Sequence, residues 1–147
     1  MRQFIFLFML LASLYAEAQK SILLKCGKLL DTKTGIVLEK QFVLLNGNRV
    51  VSVGPTAFKA DSTIDLSDYF VMPGMIDCHT HVLLQGDITQ EDYDVQVLKE
   101  SIPYRTIRGV KSAERALMNG FTTIRDLGTE GAGYADVDIK KAINAGV

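Results

Sequence analysis

The chain has 147 residues, 48% of them hydrophobic and 22% charged, with a formal net charge of −1. That composition is the one of a soluble globular protein with a core of ordinary size. Lys and Arg number 16 against 17 Asp and Glu, and no basic block stands out, so there is no phosphate-neutralising patch and a nucleic-acid partner is excluded.

Arg2 gives the N-terminus a positive start, and residues 4–16 (FIFLFMLLASLYA) are almost wholly apolar. Ala16-Glu17-Ala18 then places small residues at the two positions a signal peptidase reads. The run is too short to span about 30 Å of hydrocarbon, which takes ~20 helical residues. It also has no polar face, as a surface helix would. Residues 1–18 are therefore expected to be a signal peptide, with export to a periplasmic or extracellular space and a mature start at Gln19. Stable membrane insertion is not expected. Cys26 follows Lys25, where a lipoprotein site needs a small residue. Cys26 and Cys78, both within apolar runs, read as buried free thiols.

Residues 19–70 read as short strands and tight turns. An apolar run at residues 22–24 is punctuated by Gly27 and by DTKTG at residues 31–35. QFVLL (41–45) and RVVSV (49–53) flank Asn46-Gly47, which predicts a hairpin with a type I′ turn. Gly54-Pro55 ends the second strand, and another short run at residues 63–66 precedes Tyr69 and Phe70.

The character changes at Val71. A break at VMPG (71–74) leads into one strand, MIDCHTH (75–81), then an acidic surface loop over residues 85–94. Residues 104–119 are predicted to be a helix, with Ile107, Val110, Glu114 and Leu117 as its inward stripe and Ala113 and Met118 alongside. Asn119-Gly120 stops it, FTTI (121–124) is a second strand, and a Gly-rich loop fills residues 128–133. Asp136 is expected to cap a last helix through Ala145, with Ile139, Ala142 and Ile143 inward. Strand and helix alternating with short connections is the rhythm of a parallel α/β sheet or barrel.

His79 and His81 are the two histidines of the chain. Two residues apart on a strand, they share one face with Asp77, while Ile76, Cys78 and Thr80 take the other. Apolar Ile76 and Cys78 suit the side covered by helices, which turns both imidazoles inward near the C-terminal end of the strand, where barrel enzymes place their chemistry. Two such rings can hold one Zn²⁺ at about 2.0–2.1 Å per nitrogen. As mere core histidines, each would cost about 2–7 kcal/mol if left unpaired. Two other metal folds use His-x-His and fit less well. No Glu follows the second His at cupin spacing, and phosphoesterases that begin with this strand lack the β unit that precedes it here.

The segment from Pro73 to His81 resembles the Pro-Gly-(Leu/Met)-Ile-Asp-x-His-x-His signature of the amidohydrolase superfamily. The lead-in with Asn46-Gly47, Gly54 and Thr63-Ile64-Asp65-Leu66 is similar to that family's N-terminal β-sandwich half. GFTTIRD (120–126) resembles its second barrel strand. The wording is most similar to exported imidazolonepropionase-like and Xaa-Pro dipeptidase-like members.

The resemblance implies an α/β fold, with part of a small β-sandwich at residues 19–70 and the start of a (β/α)8 TIM barrel at residues 71–147. It implies one or two divalent metal ions, zinc first among them, with His79 and His81 as metal ligands. A bridging Lys or Glu, two further His and an Asp base belong to later strands of that family, which leaves the catalytic base outside this sequence. A whole barrel takes about 250 residues, so the chain reads as a fragment or truncated gene product, inactive and poorly soluble alone. The implied reaction is hydrolysis of a C–N amide bond by metal-activated water. The substrate is a small molecule or peptide, with dipeptides first and cyclic amides or imidazolones as the alternative; the rival reading is a non-catalytic fragment. Asp77 is expected to support the ligands from below. Arg125 and Asp126 are expected either to touch substrate or to pair with each other, and Glu130 to sit in an active-site loop or a plain connection.

Overall fold

The computed structural model describes residues 20–85 and 89–147. The leader and its cleavage site lie outside the described residues, as does part of the acidic stretch after Gln85. Two compact units meet in the sequence between Pro73 and Gly74. The chain is a mixed α/β protein.

The first unit is one four-stranded sheet built from β1 (Ser21–Leu30), β2 (Val37–Asn46), β3 (Arg49–Gly54) and β4 (Ser62–Val71), in the order β3-β2-β1-β4. β1 is antiparallel to β2 and parallel to β4. The strands run longer than the apolar runs alone predict. β1 continues through Gly27, where its register with β4 shifts and the strand absorbs a bulge rather than ending. Asp31 closes the β1–β2 connection. Its carboxylate accepts from the Thr34 hydroxyl at 2.6 Å and the Lys33 amide at 2.9 Å, which hold it below the usual carboxylate range.

The β2–β3 hairpin is present, but its turn differs from the expected one. Asn46 is still paired, opposite Arg49, so the turn residues are Gly47 and Asn48, and of these Gly47 has the positive φ, 56°. Positive φ at the first central position alone is the type II′ pattern. Cys26, Leu29 and Val43 form the buried centre of this sheet, with Leu24, Leu45 and Val71 against them. Burial pushes the Cys26 thiol up.

The second unit contains β5 (Met75–Thr80), α1 (Gln90–Leu98), α2 (Ile102–Met118), β6 (Phe121–Asp126) and α3 (Ala135–Ala145). β5 and β6 pair in parallel, and the ladder is extended at both ends by Met75 N–H to Gly120 O (2.8 Å) and Leu127 N–H to Thr80 O (3.0 Å). Much of the expected acidic loop is instead helix α1. The Thr89 hydroxyl accepts from the Asp92 amide while the Asp92 carboxylate accepts from the Thr89 amide, a reciprocal cap. Glu91 and Asp92 then lie in the first turn, where the helix dipole favours acids. Thr-x-x-Asp was thus a start signal rather than loop composition.

α2 starts two residues earlier than predicted, capped by Ser101 with Pro103 in the first turn. Its predicted inward stripe is not buried: Ile107, Val110, Leu117 and Met118 are exposed, and the buried positions are Arg105 and Gly109. Close approach explains the burial at Gly109. A Cβ on Gly109 would lie 2.7 Å from Ile139 Cδ1 and 2.8 Å from Leu83 Cδ2, so the helix seats its side-chain-free face on that core. The apolar stripe borders an open face with Phe121, Ile124 and Ile143. On α3, Ile139 is buried while Ile143 is exposed, and Asp136 sits in the first turn without capping it. The core of the unit is Val82, Leu83, Ala132, Ala135 and Ile139, packed against Ile124. These residues follow β5 and β6 in sequence, so the core supports the C-terminal ends of both strands. Cys78, expected to be buried, is exposed, and so is Ile76. Both lie on the face of β5 away from the histidines, a face that is covered only toward its end, at Thr80. Among the described residues no helix is long and apolar enough to cross a membrane.

Candidate metal centre

β5 carries its side chains with period two, and this brings His79 and His81 together at its C-terminal end. Their ring centroids lie 5.4 Å apart, the planes at 60°. The backbone amide of His79 donates to Asp77 Oδ1 at 3.0 Å, so Asp77 braces the strand beneath the rings. His81 Nδ1 lies 3.0 Å from the Gly128 carbonyl oxygen. A carbonyl only accepts, so this bond puts a proton on Nδ1, and in the neutral ring that leaves the Nε2 lone pair free. Metal-ligating histidines are oriented in this way.

The loop after β6 that supplies Gly128 is held from three directions. Asp126, at the end of β6, accepts from the Gly128 amide (3.0 Å) through one carboxylate oxygen and from the Val82 amide (2.7 Å) through the other. It thereby ties the segment after β5 to the segment after β6. Arg105 of α2 is 1% exposed and donates to the carbonyls of Thr129 (2.7 Å), Glu130 (2.9 Å) and Leu83 (3.3 Å). Burial, then the neighbouring Arg108, lowers the Arg105 pKa. Arg108 in turn pairs with Glu100 and stacks over Tyr104, 5.5 Å from the ring centre. From α1, the Tyr93 hydroxyl donates to Glu130 Oε2 at 2.8 Å, and this bond raises the tyrosine pKa.

Of the expected Arg125–Asp126 alternatives, the mutual pair is replaced by bonds to the backbone. Arg125 donates to the Cys78 carbonyl at 3.0 Å, and Asp126 is engaged with two backbone amides. Sequence reasoning missed Tyr93, Arg105 and Gly128. The available signal was Arg105 itself, a cation on the helix side that carries Gly109 four residues on. Among the described residues, no group of three or more His, Cys, Asp or Glu is arranged to hold a metal ion.

The Amidohydrolase family model matches residues 70–147, more than half of the chain and the whole second unit. The chain belongs to the amidohydrolase family. Its relatives include an imidazolonepropionase of Methylobacterium nodulans, 37% identical over 72 residues, which are 46% of this chain and 18% of that protein. A dihydroorotase of Syntrophotalea carbinolica is 39% identical over 74 residues, or 50% of this chain and 17% of that one. Among solved structures, a prolidase in complex with N-methylphosphonate-L-proline superposes with a TM-score of 0.71 at 31% identity, covering 86% of this chain and 29% of that one. This amidohydrolase chain thus spans less than a third of each of these three proteins.

Proposed function

We propose that the whole protein hydrolyses a C–N amide bond with a divalent metal, zinc first, and that His79 and His81 are two of its ligands. The observation that carries this reading is the pair of imidazoles side by side at the end of β5, with His81 fixed in the Nδ1–H tautomer. Neutral imidazoles presenting a free ring nitrogen are the donor type zinc prefers, so these two residues fit the group. A catalytic zinc site takes three protein ligands as a rule, so at least one more belongs beside them. When bound, the metal supplies Lewis acidity, which makes water nucleophilic near neutral pH and polarises a carbonyl. The residues described here contribute placement. Asp77 braces the strand, Gly128 sets the ring of His81, and Asp126 locks together the two segments that carry them.

In this reading residues 19–70 are part of a β-sandwich and residues 71–147 begin the (β/α)8 barrel. The structural likeness to a prolidase favours dipeptides as substrates. The sequence likeness to imidazolonepropionase and dihydroorotase supports cyclic amides as the second choice. The metal-loaded whole protein is expected to hydrolyse a panel of Xaa-Pro dipeptides, to lose that activity on chelation and to regain it with zinc. Undiminished turnover after exhaustive chelation contradicts the proposal, and turnover of imidazolones alone shifts it to the second substrate class.

Export belongs to the same proposal, supported by Arg2, the apolar run and Ala16-Glu17-Ala18. N-terminal sequencing of the mature protein is expected to begin at Gln19. A mature protein that still starts at Met1 contradicts it.

A further inference from the structure

Glu130 is one of two non-glycine residues at positive φ among the described residues, at 49°. It stands beside Gly131 and near Gly133, both also at positive φ, in a loop where glycine would meet the backbone geometry at lower cost. A strained non-glycine residue kept beside a candidate site points to a task for its side chain. That side chain is not free. Oε2 accepts from the Tyr93 hydroxyl at 2.8 Å, and Oε1 lies 3.5 Å from His81 Nδ1. The same nitrogen faces the Gly128 carbonyl at 3.0 Å. Beneath the loop, the buried Arg105 fork grips the Thr129 and Glu130 carbonyls, so the carboxylate is presented from a fixed backbone.

We infer that Glu130 is a positioning residue for His81. Its carboxylate, braced by Tyr93 and carried on a loop clamped by Arg105, sets a negative charge 3.5 Å from Nδ1, beside the Gly128 carbonyl that accepts the Nδ1 proton. The inference rests on His81 being a metal ligand. That charge narrows the ring's rotation about its side-chain bonds and opposes the alternative tautomer, in which Nε2 would carry the proton and lose its lone pair. An anionic neighbour also raises the electron density of the ring, which strengthens it as a ligand. Tyr93 holds the other oxygen, so the carboxylate cannot swing away without breaking a charge-assisted bond.

The test uses the whole protein and three variants: Glu130→Gly, Glu130→Gln and His81→Ala. Glycine suits the φ of 49° better than glutamate does, so Glu130→Gly removes the carboxylate without straining the loop. In the metal-free protein, nitrogen-15 NMR of the imidazoles is expected to give His81 as the pure Nδ1–H tautomer, and Glu130→Gly as a mixture. Zinc bound to Glu130→Gly is expected to pass to a competing chelator with an affinity lower by about tenfold. Glu130→Gln keeps an acceptor oxygen and is expected to restore the tautomer and part of the affinity. A Glu130→Gly protein with wild-type tautomer and wild-type zinc affinity overturns the inference. If His81→Ala loses zinc in that case, the Glu130 role alone has failed. If His81→Ala keeps its zinc, the ligand assignment itself has failed.

Discussion

Replacing His79 or His81 by alanine in the whole protein is expected to remove most of the bound zinc and to lower hydrolysis by about a thousandfold or more. The magnitude follows from the chemistry lost. Lewis-acid stabilisation is worth several kcal/mol, and each 1.36 kcal/mol is about a factor of ten in rate. The loss is chemical rather than structural. His79 is exposed, and its contact with Asp77 runs through its backbone amide, which alanine keeps. His81 is partly buried and gives up one hydrogen bond to a loop that Asp126 and Arg105 still hold. Both variants are thus expected to melt close to the wild type while metal analysis of the purified proteins reads near zero. Full metal occupancy in either variant contradicts the ligand assignment.

The second large effect is expected at Arg105. Its guanidinium bonds three backbone carbonyls from two separate segments while almost fully buried. Arg105→Met keeps much of the volume but leaves the Glu130 carbonyl without its donor, at a cost of about 1–3 kcal/mol if no water reaches it, while the Thr129 carbonyl keeps the Ala132 amide and the Leu83 carbonyl keeps Arg108. Two weakened carbonyls add to this and the desolvation of the guanidinium no longer has to be met, so a net loss of about 1–2 kcal/mol is expected. Arg105→Lys is expected to recover only a fraction, since a point charge cannot reproduce the planar fork. Denaturant titration of the three proteins checks this, and a Met variant with an unchanged midpoint contradicts it. The same substitution is expected to loosen the loop that carries Gly128 and Glu130, and so to weaken zinc retention with both histidines intact.

Much of the second unit was legible in the sequence because it rests on local rules. Period-two alternation from Asp77 to His81 places the imidazoles together without knowledge of any partner. The break at residues 71–74 precedes β5, and Asn119-Gly120 ends α2. What escaped depends on contacts between distant segments. The face α2 buries is decided by Gly109 meeting Leu83 and Ile139 and by Arg105 reaching two loops, and neither follows from a hydropathy stripe. The turn at Gly47-Asn48 is set by the pairing of Asn46 with Arg49, one residue beyond what a dipeptide signal specifies. Cys78 is exposed although it sits in an apolar run, a matter of which neighbours reach its side of β5 and not of Cys78 itself. Tyr93, Glu130 and His81 lie far apart in sequence and meet only in the folded unit.

That His79 and His81, at the end of β5, are metal ligands is the central claim, and anomalous diffraction from crystals of the zinc-loaded whole protein tests it most directly. The expected result is a zinc peak about 2.0–2.1 Å from one ring nitrogen each of His79 and His81. At His81 that nitrogen is Nε2, with Nδ1 still on the Gly128 carbonyl. A well-occupied zinc peak away from both rings, or one bound through His81 Nδ1, would contradict the account.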